Sequence, residues 1–215
     1  MSDRNLDRKR KNGEMTGRYP GYQRREPLFG NRYDGPSDFN GILNGRIKHI
    51  ESAAWHLTPD DLVDRESIAA RLVSEGCIEP ISIDVSAAEH SKPEEREVHQ
   101  NYRRIVTVTR LPFTGDRRLL TTRPAKHPSL DSLEGGSVTT DSIELEHQFD
   151  PATVSAVDVR NRRASALSAL SDVVSSVNEK VAAHNESLYA VAVGLIEQRA
   201  AELDRLRALQ NELDV

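Results

Sequence analysis

The chain has 215 residues, with 29 Lys and Arg against 34 Asp and Glu and a single cysteine, enough for one domain with an appendage or two small domains. The lone Cys77 excludes an internal disulfide and an all-cysteine metal site, and the longest apolar run, Tyr189 to Ile196, falls far short of the ~20 residues that span a bilayer. Nine basic against four acidic side chains in residues 1–33 leave 20 basic against 30 acidic in the remainder, which excludes a protein that coats nucleic acid over its whole surface but leaves local patches open.

No apolar stretch of the signal-peptide kind follows the amino-terminal charges, so the expected location is the cytoplasm, with no membrane partner. Residues 1–35 are rich in Arg, Gly, Asn and Pro with almost no aliphatic side chains, and are expected to form a disordered basic leader. Tyr19, Tyr22, Phe29 and Tyr33 interleave there with Arg18, Arg24, Arg25 and Arg32, as in a nucleic-acid-binding arm. The alternative, which we favour, is a tail whose segment Pro27 to Tyr33 docks through Leu28 and Phe29.

Residues 36–150 read as an α+β domain. After a turn at Asp34 to Ser37, Phe39, Ile42, Leu43, Ile47, Ile50, Ala54 and Leu57 recur at three- and four-residue steps, predicting an amphipathic helix over 38–56. Thr58-Pro59-Asp60-Asp61 ends it and begins a second helix, in two pieces around Asp64, that stops at Gly76. Ile81, Ile83 and Val85 alternate with polar residues as a strand does. The charged, Pro93-broken stretch 86–101 is expected to be a surface loop or short helix. Segments 104–111 and 117–123 flank the turn-rich Pro112 to Asp116, giving a predicted hairpin. Ile143, Leu145, His147 and Phe149 then alternate with Glu144, Glu146 and Gln148, the clearest strand signal in the chain. The predicted fold is a small, mainly antiparallel sheet with helices on one face, followed by a long helical segment.

That segment, residues 151–215, carries a heptad seam. Leu167, Val174, Val181, Leu188 and Leu195 stand seven apart, Leu170, Val177, His184 and Val191 follow at three, and the seam then shifts to Ile196, Leu203, Leu206 and Leu213. Leu167, Leu170, Val174, Val177, Val181, Leu188, Val191 and Leu195 are the expected self-association residues, for a second copy or a protein partner. The helix is either continuous and paired as a coiled coil, or broken at Asn185-Glu186-Ser187 into a helical hairpin; the rarity of such long helices tips the expectation slightly towards the break.

Motifs for chemistry are absent: there is no phosphate-binding Gly-Lys-Ser/Thr loop, dinucleotide fingerprint, nucleophile elbow or His-Glu-x-x-His. The Asp-x-Lys pair of restriction-type nucleases occurs only at Asp7 and Lys9, in the leader. No catalytic residue, metal ligand set or cofactor is expected. His49 and His56 lie two turns apart, a poor ligand spacing. Cys77 has no sequence-adjacent base and reads as a small buried side chain. The acids Asp60, Asp61, Asp64 and Glu66 coincide with a helix start, where the dipole favours them. His184 at a seam position could fix register, or sit partly exposed.

The one segment of local electrostatic character is 102–127, where Arg103, Arg104, Arg110, Arg117, Arg118, Arg123 and Lys126 face a single acid, Asp116. Such a hairpin face suits phosphates, making nucleic acid an alternative partner. Equally, these arginines can pair with Glu144 and Glu146 across strands, or with the acids of 94–97.

The run Val106 to Pro124 (VTVTRLPFTGDRRLLTTRP), with the tract Asp150 to Leu209 containing His184-Asn185-Glu186-Ser187-Leu188 and Arg199, resembles the amino-terminal region of uncharacterised bacterial proteins. In that group a strand ending in Pro-Phe-x-Gly precedes a second strand closing in Pro, and the region is often joined to a restriction-endonuclease-like or signalling effector. The likeness covers residues 30–210, and this sequence shows no effector after it. The resemblance implies a sensing or scaffolding module in bacterial antiviral defence, acting with a separate effector chain; it carries over no catalytic residue. The expected protein is therefore a non-enzymatic interaction module, and the alternative is a nucleic-acid binder using the arginine hairpin.

Overall fold

Alternation along Ser142–Phe149 produces the central strand, and two long strands lying side by side organise everything else. The computed structural model describes residues 25–30, 39–99, 102–124 and 127–213. Its strands are β1 (Glu26–Pro27), β2 (Ser82–Ile83), β3 (Glu89–His90), β4 (Glu94–His99), β5 (Tyr102–Thr114), β6 (Gly136–Val138) and β7 (Ser142–Phe149). They form one antiparallel sheet of seven strands in the order β1-β6-β7-β5, and the far edge of β5 is shared in turn by β2, β3 and β4.

The register sets the two faces. Ile105, Thr107, Thr109 and Leu111 of β5 stand opposite Phe149, His147, Leu145 and Ile143 of β7, one face of the sheet, while Arg110 stands opposite Glu144 on the other. The first face packs under the long helix, with Leu111, Ile143 and Leu145 in one core with Ala166, Leu170, Val173, Val177 and Val181.

Among the described residues, four α-helices join the sheet: α1 (Phe39–Trp55), α2 (Arg65–Gly76), α3 (Arg118–Thr121) and α4 (Ala156–Leu213). As the spacing predicts, a short 3-10 turn, Asp61–Val63, precedes α2, and Asp64 caps α2 by accepting from the Ser67 amide at 3.1 Å. Ser155 and Asp158 form a reciprocal box at the start of α4, the Ser155 amide donating to the Asp158 carboxylate at 2.9 Å and the Asp158 amide to Ser155 Oγ at 3.2 Å.

Several expectations are corrected. The stretch 86–101 is expected to be a loop or short helix, yet of its described part, 86–99, only the end of a 3-10 turn, Val85–Ala87, is helical: β3 and β4 lie there, because the charges of Glu94 to Glu97 mark an exposed edge strand whose backbone pairs with β5. The predicted hairpin partner at 117–123 is instead α3. Leu119 and Leu120 are consecutive and both fully buried, which one face of a strand cannot accomplish, and the Asp116 carboxylate accepts the Arg118 amide at 3.1 Å to start the turn. Gly115 makes the corner at φ 103°, where a Cβ would come within 2.2 Å of the Pro80 carbonyl oxygen. Within the expected disordered leader, Arg25 to Gly30 belongs to the fold, and here the favoured docking through Leu28 and Phe29 is what the structure shows: both are buried, and the Phe29 amide donates to the Leu120 carbonyl at 2.5 Å. The other leader residues, 1–24 and 31–35, lie outside the described residues.

The break at Asn185 does not occur. Helix α4 runs unbroken for 58 residues, about 87 Å at 1.5 Å per residue. Asn185, whose capping preference suggested a stop, is bonded elsewhere: its amide oxygen accepts from the Ile78 N–H at 3.0 Å and its amide nitrogen donates to the Ile78 carbonyl at 2.9 Å. Asn178, one heptad earlier, does the same with Ile81 at 2.9 and 2.7 Å. This pair zips the extended segment after α2 onto the helix and satisfies its backbone. Further along, Leu188, Ala192 and Ile196 form a second core with Ile50, Ala54, Leu57, Ala69 and Leu72 of the α1–α2 layer. Gly76 is fixed there, since a Cβ would lie 3.1 Å from Leu188 Cδ2 and 3.3 Å from Ile50 Cγ2.

Candidate functional site

The arginines of 102–127 do not converge. Arg103 lies 3.4 Å from Glu95, Arg104 3.9 Å from Asp150 and Arg117 3.3 Å from Glu26, while Arg118 closes on Asp116 beside it. Arg104 also stacks over the Tyr102 ring at 4.8 Å, and Arg117 donates to the Thr139 carbonyl at 2.8 Å. On the face of the sheet away from α4, Glu144 is buried and bracketed by two guanidinium groups, Arg110 at 2.6 Å and Arg25 at 3.1 Å. The Glu144 hydrogen bond and charge hold the Arg110 pKa above its ordinary value. Acids of the same chain, across strands for Arg103 and Arg110 and in adjoining segments for Arg104, Arg117 and Arg118, thus occupy most of these side chains; Arg123 is exposed on the rim of a cavity of about 370 Å³ beside Leu28 and Gly136, and Lys126 lies outside the described residues.

The seam residues face their own chain. Leu170, Val174, Val177, Val181 and Leu188 are buried, and Leu167, Val191 and Leu195 are partly buried against the same two cores. The heptad spacing therefore serves the sheet and the α1–α2 layer. His184, also at a seam position, is buried, with Nε2 3.3 Å from the Gly76 carbonyl oxygen. Beyond Ile196 the helix leaves the body: Leu206, Leu209 and Leu213 are 49%, 52% and 85% exposed. Arg199 marks the departure, its Nε donating to the Leu57 carbonyl at 3.0 Å and its guanidinium lying 5.9 Å from the Trp55 ring, itself 52% exposed.

A polar cluster lies between α4 and the sheet. Thr107 and His147 are opposite one another on β5 and β7, both buried, and among the described residues Thr107 Oγ1, His147 Nε2 and Arg163 Nε have no hydrogen-bond partner. Arg163 reaches across to donate to the Ser91 carbonyl at 2.8 Å, and His90 Nδ1 lies 3.0 Å from Thr109 Oγ1. Burial, then the positive charges of Arg162 and Arg163, push the His147 pKa down to about 4 against a smaller upward pull from Glu146.

The remaining candidates stay apart. His49 and His56 line an open groove of about 520 Å³ with Asp61, Arg71 and Glu75; His49 is 3.9 Å from Glu75, and His56 Nδ1 lies 2.7 Å from the Ser52 carbonyl. Cys77 is exposed, contrary to the expectation of burial, because the helix ends at Gly76, whose backbone packs against Leu188 and Ile50, and the next inward side chain is that of Ile78. Asp61 bonds Thr58 and Asp64 caps α2, so the acids are occupied by their own turn. Among the described residues there is no group of three or more His, Cys, Asp and Glu able to hold a metal ion, and no helix long and apolar enough to cross a membrane. Sequence reasoning missed the Asn178–Asn185 zipper, although two asparagines seven apart, each flanking the apolar seam at the same heptad position, were its visible sign. No family model, curated protein or solved structure matches this chain.

Proposed function

We propose that this chain is a non-enzymatic interaction module whose docking element is the distal end of α4. One observation carries the reading. The last ~17 residues of the helix, ~25 Å of it, stand clear of both cores with Leu206, Leu209 and Leu213 in water, an apolar face of the kind that marks protein contacts. The resemblance adds a setting, bacterial antiviral defence, in which a separate effector supplies the chemistry. The arginine segment supports nucleic-acid binding less well, since five of its seven basic groups are matched by carboxylates of the same chain.

The deciding experiment is affinity capture from the native host, with mass spectrometry and nucleic-acid recovery, run on the wild type and on Leu206→Glu. A protein captured by the first and lost by the second supports the reading. Nucleic acid recovered equally by both, with retention falling steeply as salt rises, would replace it with the alternative.

A further inference from the structure

We infer that the docking partner of this helix end is a second copy of the same chain, paired antiparallel over residues 196–213; the inference rests on the interaction-module reading. The pattern of the segment is self-complementary. In heptad terms its seam is Ile196, Arg199, Leu203, Leu206, Gln210 and Leu213, alternating a and d. An isologous antiparallel pair sets each a position beside a d position of the second copy. Laying Leu203 beside Leu206 of the second copy, and the reverse, brings the two polar seam residues, Arg199 and Gln210, beside each other and sets Leu213 level with Ile196, which α1 and α2 already cover, so that Leu213 meets the rim around Trp55 instead. Leu203 and Leu206 each meet a leucine of the second copy, and within the seam the polar residues meet each other.

The flanking positions agree. In antiparallel pairs, g positions meet g and e positions meet e, which sets Glu202 near Leu209 and Ala200 near Arg207, with no like charges opposed.

The fold favours this direction over the parallel one. The exposed leucines continue the face that Leu188, Ala192 and Ile196 press onto α1 and α2. A parallel second helix on that face would run back into the volume that α1 and α2 fill. An antiparallel one approaches from the free end and stops with its tip against the end of α1. There Trp55, half exposed beside Arg199, is placed to cover Leu213 of the second copy. Of the roughly 18 residues in the overlap only the a, d, e and g positions, about ten a side, enter the interface, about half the ~20–30 residues a side of stable interfaces, so the pair is weak, with Kd on the order of tens of micromolar or above.

The test is sedimentation equilibrium of the full chain from about 5 to 500 µM, with the emission of Trp55, the only tryptophan, followed over the same range. A monomer–dimer equilibrium with a concentration-dependent blue shift is expected. Leu206→Glu should weaken it by roughly 100-fold, because the side chain enters the interface twice, with the thermal melt unchanged since it is exposed in the single chain. In a Cys77→Ser background, Glu202→Cys and Leu209→Cys chains should form a mixed disulfide when combined and little when separate, since identical positions then lie about 10 Å apart along the pair. Homodisulfides from either variant alone would overturn the antiparallel register. A monomer throughout, or an association that Leu206→Glu leaves intact, would overturn self-pairing; if the wild type still captures another protein through Leu206, the module reading survives that loss.

Discussion

Two buried ionisable side chains show how single residues tie this fold to its conditions. His147 is almost fully buried under α4, with its pKa held at about 4 against an ordinary 6.5. The unfolded chain therefore binds a proton that the folded chain refuses, and stability falls as pH drops through the window from 6.5 to 4. The loss is ~2 kcal/mol by pH 5 and ~3 kcal/mol at pH 4, after which this residue adds no more. His90, shifted down by burial and Arg163, acts with the same sign. Melting temperatures between pH 7 and 5 should fall accordingly, and His147→Gln should flatten that slope. Carboxylates such as Asp116, held low first by the Arg118 hydrogen bond, lose their contribution only at lower pH and leave the window clean. Glu144 behaves asymmetrically with its partners. Arg110 and Arg25 are more than half exposed and rehydrate if the acid is lost, whereas a buried carboxylate deprived of its closest guanidinium cannot. Arg110→Ala should cost ~1–3 kcal/mol in chemical denaturation, and Glu144→Gln less. Opposite-charge pairing of these groups is legible from the strand pattern, because Glu144 and Glu146 alternate beside an arginine-bearing strand. The depth of Glu144 is not, since it depends on Arg25 folding over the face from a segment whose composition resembles a tail.

At the level of elements, the helix and its apolar stripe are legible in the heptads, while the object the stripe faces is not. A seven-residue spacing fits a second helix, a sheet or a helical layer alike, and only the register of β5 and β7 supplies the flat surface that α4 crosses. The asparagines illustrate the limit. As isolated residues they favour caps and suggest a broken helix; with an extended segment within reach they bond its backbone and keep the helix whole. Asn185→Ala should leave the Ile78 amide and carbonyl without partners, costing ~1–3 kcal/mol and raising hydrogen exchange at Ile78 well above that at Ile81. The acidic stretch before β5 hid its strands because charge reports exposure, and an edge strand is exposed by design.

The whole molecule has its weight at one end of a rod. Removing residues through Gly30 takes Leu28 and Phe29 from the first core and should cost several kcal/mol, near ~2–5 for each large side chain lost, as read by a drop in melting temperature. Ending the chain after Leu203 should leave that temperature nearly unchanged, since none of the described residues beyond it is buried. The second core has a history as well as a location. Its α1 and α2 are made early, yet the surface they cover, Leu188 to Ile196, is added roughly 120 residues after Gly76. At a translation rate of ~5–20 residues per second the nascent chain carries Ile50 and Leu72 uncovered for about 6–24 s on the ribosome. During synthesis this amino-terminal helical pair is thus a client for chaperones, and slowing the ribosome before codon 196 should lower the yield of soluble protein more than slowing it afterwards.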